Sequence, residues 1–196
     1  MFSHKEGEIA VKAARDVVDS YVEGKKVELK KMPQMFQEKM GVFVTINKHP
    51  SGDLRGCIGY PEPIMSLKDA LIRSTASATS DPRFPPLSKD ELDHVIIEVT
   101  LLTSPKEIEC KPEELTKNIR CGRDGLIVSY GNRSGLLLPQ VPVEQGWDVR
   151  EFLDHTCMKA GVPSGTWKKK ECSVKKFQGE IFKEKEPRGE VVRKEL

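Results

Sequence analysis

The sequence predicts an α+β fold, in which a mostly antiparallel sheet carries packed helices. Residues 41–48 and 54–60 have the composition of β-strands and are separated by a turn cluster at 49–53, and a second strand pair flanks residues 131–134. Short turns of this kind join neighbouring antiparallel strands. Helical periodicity occurs between these strands, but without the strict alternation that a doubly wound parallel sheet requires. The length of 196 residues suits one large domain or two small lobes.

Three segments have the apolar spacing of amphipathic helices. The first covers residues 6–23, and Gly24 follows it as a stop signal. The second covers 67–79, after an N-cap serine, and the third covers 148–160 with Gly161 just beyond it.

The remaining elements follow from β-branched runs and turn signals. Residues 95–103 predict a strand, and 112–117 predict about one helical turn. The pair 126–130 and 135–138 forms the second hairpin. The proline-rich segment 81–86 cannot continue a helix and predicts a rigid loop.

Composition excludes several classes of protein. The chain has 32 Lys or Arg and 30 Asp or Glu, a net charge of +2, and its apolar runs are no longer than four residues. Such runs are far shorter than the roughly 20 residues that span a bilayer, so we expect no membrane segment. The five cysteines are odd in number and none has C-x-x-C spacing. We therefore expect reduced thiols in a cytoplasmic protein, with neither a metal site nor a cofactor.

Charge is distributed unevenly along the chain. Residues 159–196 hold 11 basic and 6 acidic side chains, a net of +5, whereas the other 158 residues sum to −3. One interpretation is a solvated surface. The alternative is a docking patch for RNA or another polyanion.

The segment 54–60 contains two glycines around one cysteine. Because glycine weakens a strand, Gly56 and Gly59 need a reason. A ligand or another backbone approaching Cys57 closely is one reason. The other is structural, since Gly59 would leave space beneath an aromatic ring such as Phe43.

Strand alternation predicts that Arg55, Cys57 and Gly59 share one face. A hairpin through 49–53 would then place Thr45 opposite Cys57 and Asn47 opposite Arg55. A guanidinium near a thiol favours the thiolate, which is the nucleophilic form. Cys57 is therefore a candidate nucleophile, and the alternative is an inert apolar residue in a core.

Glu98 stands in the apolar run 95–101. A buried carboxylate must be paired or protonated, and Arg55 or Arg83 is the expected partner. Such a pair could be architectural, or it could orient a guanidinium toward an anionic ligand. Asp81 and Arg83, held in the proline-rich loop, are expected to line the same cleft.

These residues resemble the hallmark of the AMMECR domain family. The resemblance rests first on Leu54-Arg55-Gly56-Cys57-Ile58-Gly59 and on Asp81-Pro82-Arg83-Phe84. Further matches occur in family order at residues 97–99, 137–144, 147–148 and 157–161.

The resemblance implies an α+β domain over residues 1–182, and the nine charged residues of 183–196 predict a charged tail. The domain would have two unequal lobes with a cleft between them, the larger lobe built from both chain ends and the smaller from the middle. The family has been provisionally associated with RNA modification, and some microbial relatives are encoded near Memo-like and radical-SAM proteins. The resemblance also implies a functional site at Arg55, Cys57, Asp81, Arg83 and Glu98, and Gly56 and Gly59 beside Cys57 are further candidates for substrate binding.

Three functions remain open at this point, the third being RNA binding through the basic C-terminal end at residues 159–196. The first is an enzyme that acts on a nucleotide or an RNA-like anion, with Cys57 as nucleophile, Glu98 as an orienting carboxylate, and Arg55 and Arg83 holding the anion. The second is a non-catalytic binding or adaptor domain that recognises a peptide or a small anion.

Overall fold

The computed structural model describes residues 2–29 and 31–194. The fold is α+β, as the sequence predicts. The helices are α1 (His4–Val22), α2 (Leu67–Thr79), α3 (Gln140–Gln145) and α4 (Val149–Lys159). The strands are β1 (Val42–Lys48), β2 (Leu54–Tyr60), β3 (Val95–Leu102), β4 (Lys106–Glu107), β5 (Asp124–Tyr130), β6 (Arg133–Leu137), β7 (Ser173–Glu184) and β8 (Val191–Lys194). Across the described residues, no helix is both long enough and apolar enough to cross a bilayer.

The chain forms two compact units. Among the described residues, unit 1 contains 2–29, 31–102 and 180–194, and unit 2 contains Thr103–Gly179. Each unit encloses a hydrophobic cluster of its own.

Unit 1 is a sheet with two helices packed against it. Its strands are hydrogen-bonded in the order β2–β1–β3–β7, and β8 also pairs with β7. The apolar faces of α1 and α2 join the cluster that contains Val44, Ile97 and Phe182. Gly7 permits this packing, because a Cβ at that position would lie 2.1 Å from the Phe182 ring. One face of the sheet is therefore committed to the core, while the opposite face carries the candidate site.

Unit 2 has a smaller sheet covered by α4. Its strands are ordered β7–β5–β6, and β4 also pairs with β7. Phe152, Leu153 and Cys157 on α4 are fully buried with Leu126 and Val128 of β5. The apolar face predicted for residues 148–160, which form α4, is thus the face that packs in the core of unit 2.

Local signals explain where the helices begin. Helix α1 starts at His4, earlier than expected, because Ser3 and Glu6 form a reciprocal capping box. Asp148 and Glu151 form a second capping box at the start of α4.

The C-terminal region differs from the expected charged tail. Strand β7 runs to Glu184 and β8 pairs with it, leaving Val191 only 4% exposed. The apolar pattern does not predict β7, because Val174 packs in the core of unit 2 and Phe182 packs in that of unit 1. A strand that serves two cores lacks one continuous apolar face with a period of two. Residues 195–196 of the predicted tail lie outside the described residues.

Candidate functional site

The sheet of unit 1 places three polar side chains in a row. Thr45 on the central strand β1 lies opposite Cys57 of β2 and opposite Glu98 of β3. Residues directly opposite in antiparallel strands project from the same face. The predicted Thr45–Cys57 register is therefore confirmed, and we call Cys57, Thr45 and Glu98 the thiol row.

The thiol has a hydroxyl donor. Thr45 Oγ1 donates to Cys57 Sγ at 3.3 Å, and all three side chains of the row are half-buried. The backbone N–H and C=O of Cys57 bond away from β1, which makes Thr45–Cys57 a non-hydrogen-bonded pair, the type with the closer side chains. A hydroxyl that donates to sulfur stabilises the thiolate, the nucleophilic form.

A β-bulge removes Arg55 from this arrangement. Ile46 pairs with Gly56, but Asn47 pairs with Leu54, so Arg55 is the extra residue of β2. The expected Asn47–Arg55 pair was therefore wrong. A regular alternation in β2 does not anticipate a bulge, which redirects one side chain.

Arg55 is buried against a carboxylate that the sequence reasoning missed. Its Nε and Nη2 donate to Glu91 at 2.7 and 2.9 Å, and Nη2 also donates to the Pro86 carbonyl at 3.3 Å. The Arg55 guanidinium lowers the pKa of Glu91 to about 2, against the opposing effect of burial. Arg55 is 6% exposed. It thus holds the segment that contains Pro86 and Glu91 in place and does not present an unpaired cation.

Asp81 and Arg83 clamp the backbone of Cys57. Asp81 Oδ2 accepts from the Cys57 N–H at 2.9 Å, and Arg83 Nη2 donates to the Cys57 carbonyl at 3.1 Å. Arg83 also bonds Asp81 through Nε at 3.0 Å and Nη2 at 2.6 Å. These contacts hold the pKa of the buried Asp81 carboxyl well below its usual range. The two side chains therefore satisfy edge-strand groups that a further strand would otherwise pair.

Packing explains both glycines of β2. A Cβ on Gly56 would lie 2.2 Å from the Ala78 carbonyl oxygen at the end of α2. A Cβ on Gly59 would lie 2.2 Å from the Phe43 ring, in agreement with the structural alternative weighed from the sequence. Close packing is therefore a sufficient reason for a glycine at each of the two positions.

Glu98 has a different partner from the one expected. Lys194 Nζ donates to Glu98 Oε2 at 3.4 Å, whereas Arg55 and Arg83 are paired with Glu91 and Asp81. The prediction that an arginine neutralises Glu98 was wrong. Lys194 was not expected as the partner because β8 was not predicted. For Glu91, the one available signal in the sequence was the capping pattern Ser88–Glu91.

Three of the other cysteines have environments that disfavour the thiolate. Burial raises the pKa of Cys121 and Cys157, and it raises that of Cys172 to about 11. Within residues 2–29 and 31–194, no group of three or more His, Cys, Asp or Glu side chains has a metal-binding arrangement.

Comparison with known proteins identifies the family. A family model described as AMMECR1 matches residues 11–182. The chain belongs to the AMMECR1 family. The predicted membership of the AMMECR domain family is thereby confirmed.

AMMECR1 relatives extend over almost the whole chain. Protein MJ0810 of Methanocaldococcus jannaschii is 50% identical over 194 residues, covering 98% of this chain and 96% of the relative. Protein MK0488 of Methanopyrus kandleri is 49% identical over 196 residues, covering 98% and 95%. The crystal structure of the uncharacterized protein PH0010 from Pyrococcus horikoshii matches with a TM-score of 0.81 and 48% identity, covering 100% of this chain and 99% of that chain. These names state no activity.

Proposed function

We propose that this AMMECR1 domain is a cysteine-dependent enzyme that acts on a nucleotide or an RNA-like anion at the sheet face around the thiol row. The observation that carries the proposal is the hydrogen bond from Thr45 to the Cys57 sulfur, on a strand whose backbone is clamped at that residue. Cys57 is the nucleophile. Thr45 orients the sulfur by donating its hydroxyl hydrogen, Glu98 is the orienting carboxylate at the other end of the row, and Asp81 and Arg83 position the backbone of Cys57.

Charge at both ends of the thiol row supports an anionic substrate. Arg83 lies beside Cys57, and its side chain is 55% exposed, while Lys194 lies beside Glu98 with its side chain 47% exposed. Phe43 occupies the neighbouring position on the same face and offers a ring on which a base can stack. Arg55 has no part in binding the anion.

The clamp also bears on the class of reaction. Acyl transfer requires N–H donors for a developing oxyanion, and the backbone N–H of Cys57 is already bonded to Asp81. An acyl-transfer reaction at Cys57 would therefore need its oxyanion donors from other groups.

Protection from alkylation tests the substrate class. Native protein is treated with iodoacetamide with and without a nucleoside monophosphate, and modification is read at Cys57 by peptide mass spectrometry. We expect the nucleotide to slow the labelling of Cys57 and to leave Cys110 unaffected, with protection weakened in Arg83→Gln. Equal labelling at Cys57 with and without nucleotide would contradict the nucleotide assignment.

A non-catalytic binding domain is the second candidate. It is favoured by the pairing of both hallmark arginines with Glu91 and Asp81 inside the protein. Under this alternative Cys57→Ser would leave the affinity for the same nucleotide nearly intact. If Cys57→Ser abolished a turnover measured with the wild type, the binding alternative would fail.

The association with RNA modification, the Memo-like or radical-SAM partner and the cytoplasmic location stay predictions. An RNA substrate would be consistent with the nucleotide proposal, since its backbone supplies the same anion.

A further inference from the structure

A cavity of about 370 Å³ in unit 1 is separate from the thiol row. It lies among α1, the residues Leu29, Lys31 and Met32, and the end of the β7–β8 hairpin. Its volume falls at the low end of the range of about 300–1,000 Å³ found for small-molecule sites. The apolar part of its lining consists of Ile9, Ala13, Leu29, Met32 and Val191.

The buried ion pair Arg15–Glu184 forms a fixed polar part of the wall. Arg15 donates to the carbonyls of Leu92 and Val95 at 3.1 and 2.8 Å, in addition to Glu184. Glu184 also accepts from the Ile97 N–H at 2.9 Å. Because these groups satisfy one another, the pair shapes the cavity and leaves recognition of charge to other residues.

Two exposed residues of opposite charge line the cavity from different walls. Asp16 comes from α1, and Lys31 comes from the segment that follows it. Neither has an ion-pair partner in the described part of the chain, whereas Lys12, also on α1, is paired with Glu8. The cavity therefore offers one carboxylate and one ammonium group beside an apolar interior.

A strained arginine holds the hairpin at this cavity. Arg188 has φ of 61° at the third position of the turn Glu186–Gly189, a position that usually takes glycine. Its guanidinium bonds Asp19 at 2.6 and 3.1 Å and Asp93 at 2.7 Å. A backbone outlier of this kind persists where surrounding contacts over-determine it, and here those contacts fix the hairpin wall.

We propose that this cavity binds a small amphipathic zwitterion, specifically a free α-amino acid with an apolar side chain. Asp16 pairs with the ammonium group and Lys31 with the carboxylate. The aliphatic side chain of the ligand packs on Ile9, Leu29 and Met32. A ligand that lacks either charged group loses one of the two ion pairs and leaves its counterpart in the cavity unpaired.

Calorimetry with L-leucine, 4-methylpentanoate and 3-methylbutylamine tests the proposal on the full chain. We expect saturable binding of L-leucine, and binding about tenfold weaker or worse for each of the two analogues. Asp16→Asn and Lys31→Gln should each weaken L-leucine binding about tenfold. Both positions are exposed, so the variants should remain folded.

The matched controls are Asp90→Asn and Lys5→Gln, exposed positions outside this cavity, and both should bind as the wild type does. Cys57→Ser should also bind L-leucine normally, so the result is independent of the proposed function. Two outcomes would overturn the proposal. One is the absence of saturable binding at about 10 mM L-leucine, where a site with a Kd of roughly 1 mM is about nine-tenths filled. The other is equal affinity for the three compounds.

Discussion

Individual residues around Cys57 are constrained mainly by packing and pairing. A side chain at position 56 would clash with Ala78, and a side chain at position 59 would clash with Phe43. Arg55, the residue expected to hold an anion, is instead an internal cation whose charge is balanced by Glu91.

Alanine substitution should separate the two glycines. In Gly56→Ala the new Cβ meets a backbone carbonyl, which cannot turn aside, whereas in Gly59→Ala it meets the Phe43 ring, which can rotate. We expect Gly56→Ala to lower the free energy of unfolding by about 3 kcal/mol and Gly59→Ala by about 1 kcal/mol. Urea unfolding measures both, and a larger loss for Gly59→Ala would contradict this account of the packing.

The Arg55–Glu91 pair should make stability depend on pH. The pKa of Glu91 is lowered to about 2 in the folded protein, below its unfolded value of roughly 4.3. The contribution is therefore present above the unfolded pKa and lost as the pH falls through the folded one. Glu91→Gln should cost about 2 kcal/mol near neutral pH, because it leaves a buried guanidinium without its counter-charge.

Urea unfolding of wild type and Glu91→Gln between about pH 6 and pH 2 checks this sign. The difference between the two proteins should shrink toward the acidic end. A difference that stayed constant or grew on acidification would contradict it.

At the scale of elements, the proline-rich loop of residues 81–86 takes the place of a neighbouring strand beside β2. Its two side chains bond the outward N–H and C=O of Cys57 on the edge strand β2. The result is a fixed thiol at an edge that would otherwise be free to pair. Asp81 and Arg83 are thus described by these contacts as residues that position Cys57, and their role in binding a substrate stays a prediction.

Removing the carboxylate should loosen that edge. In Asp81→Asn the bonds to Arg83 lose their charge, and we expect the Cys57 amide to exchange with solvent about tenfold faster, with a loss of stability of about 2 kcal/mol. Amide hydrogen exchange at single-residue resolution is the measurement, and Asp90→Asn is the control with the same charge change. Unaltered exchange at Cys57 in Asp81→Asn would show that the clamp has no positional role.

At the scale of the whole molecule, the sequence predicted the local elements better than their partners. The β1–β2 register could be predicted because a short turn sets it, and α4 because one apolar stripe faces one core. The β-bulge at Arg55 and strand β7 could not, since a bulge breaks alternation and β7 divides its apolar residues between two cores. The partners of Arg55 and Glu98 could not be predicted for the same reasons. Arg55 lies at the bulge and pairs with Glu91, and the Glu98 partner Lys194 lies on β8, which pairs with β7.

The charge asymmetry also changes once the chain is folded. The basic C-terminal end is divided, because Lys168–Lys170, Lys175 and Lys176 belong to unit 2 while residues 180–194 belong to unit 1. Lys168 and Lys169 lie 5.1 Å from the ring centroids of Trp167 and Tyr130. The net charge of the linear segment is therefore a poor guide to any one surface.

The central claim is that Cys57 is the reactive thiol of this protein, and its alkylation rate relative to the other four cysteines tests it most directly. Native protein is treated with iodoacetamide near neutral pH, and each cysteine is followed by peptide mass spectrometry. We expect Cys57 to react about tenfold faster than Cys121, Cys157 and Cys172, whose thiolates burial disfavours. Thr45→Val, which removes the hydroxyl donor and keeps the shape, should slow Cys57 alone. Labelling of Cys57 no faster than that of Cys121, Cys157 and Cys172, or unaffected by Thr45→Val, would contradict the account.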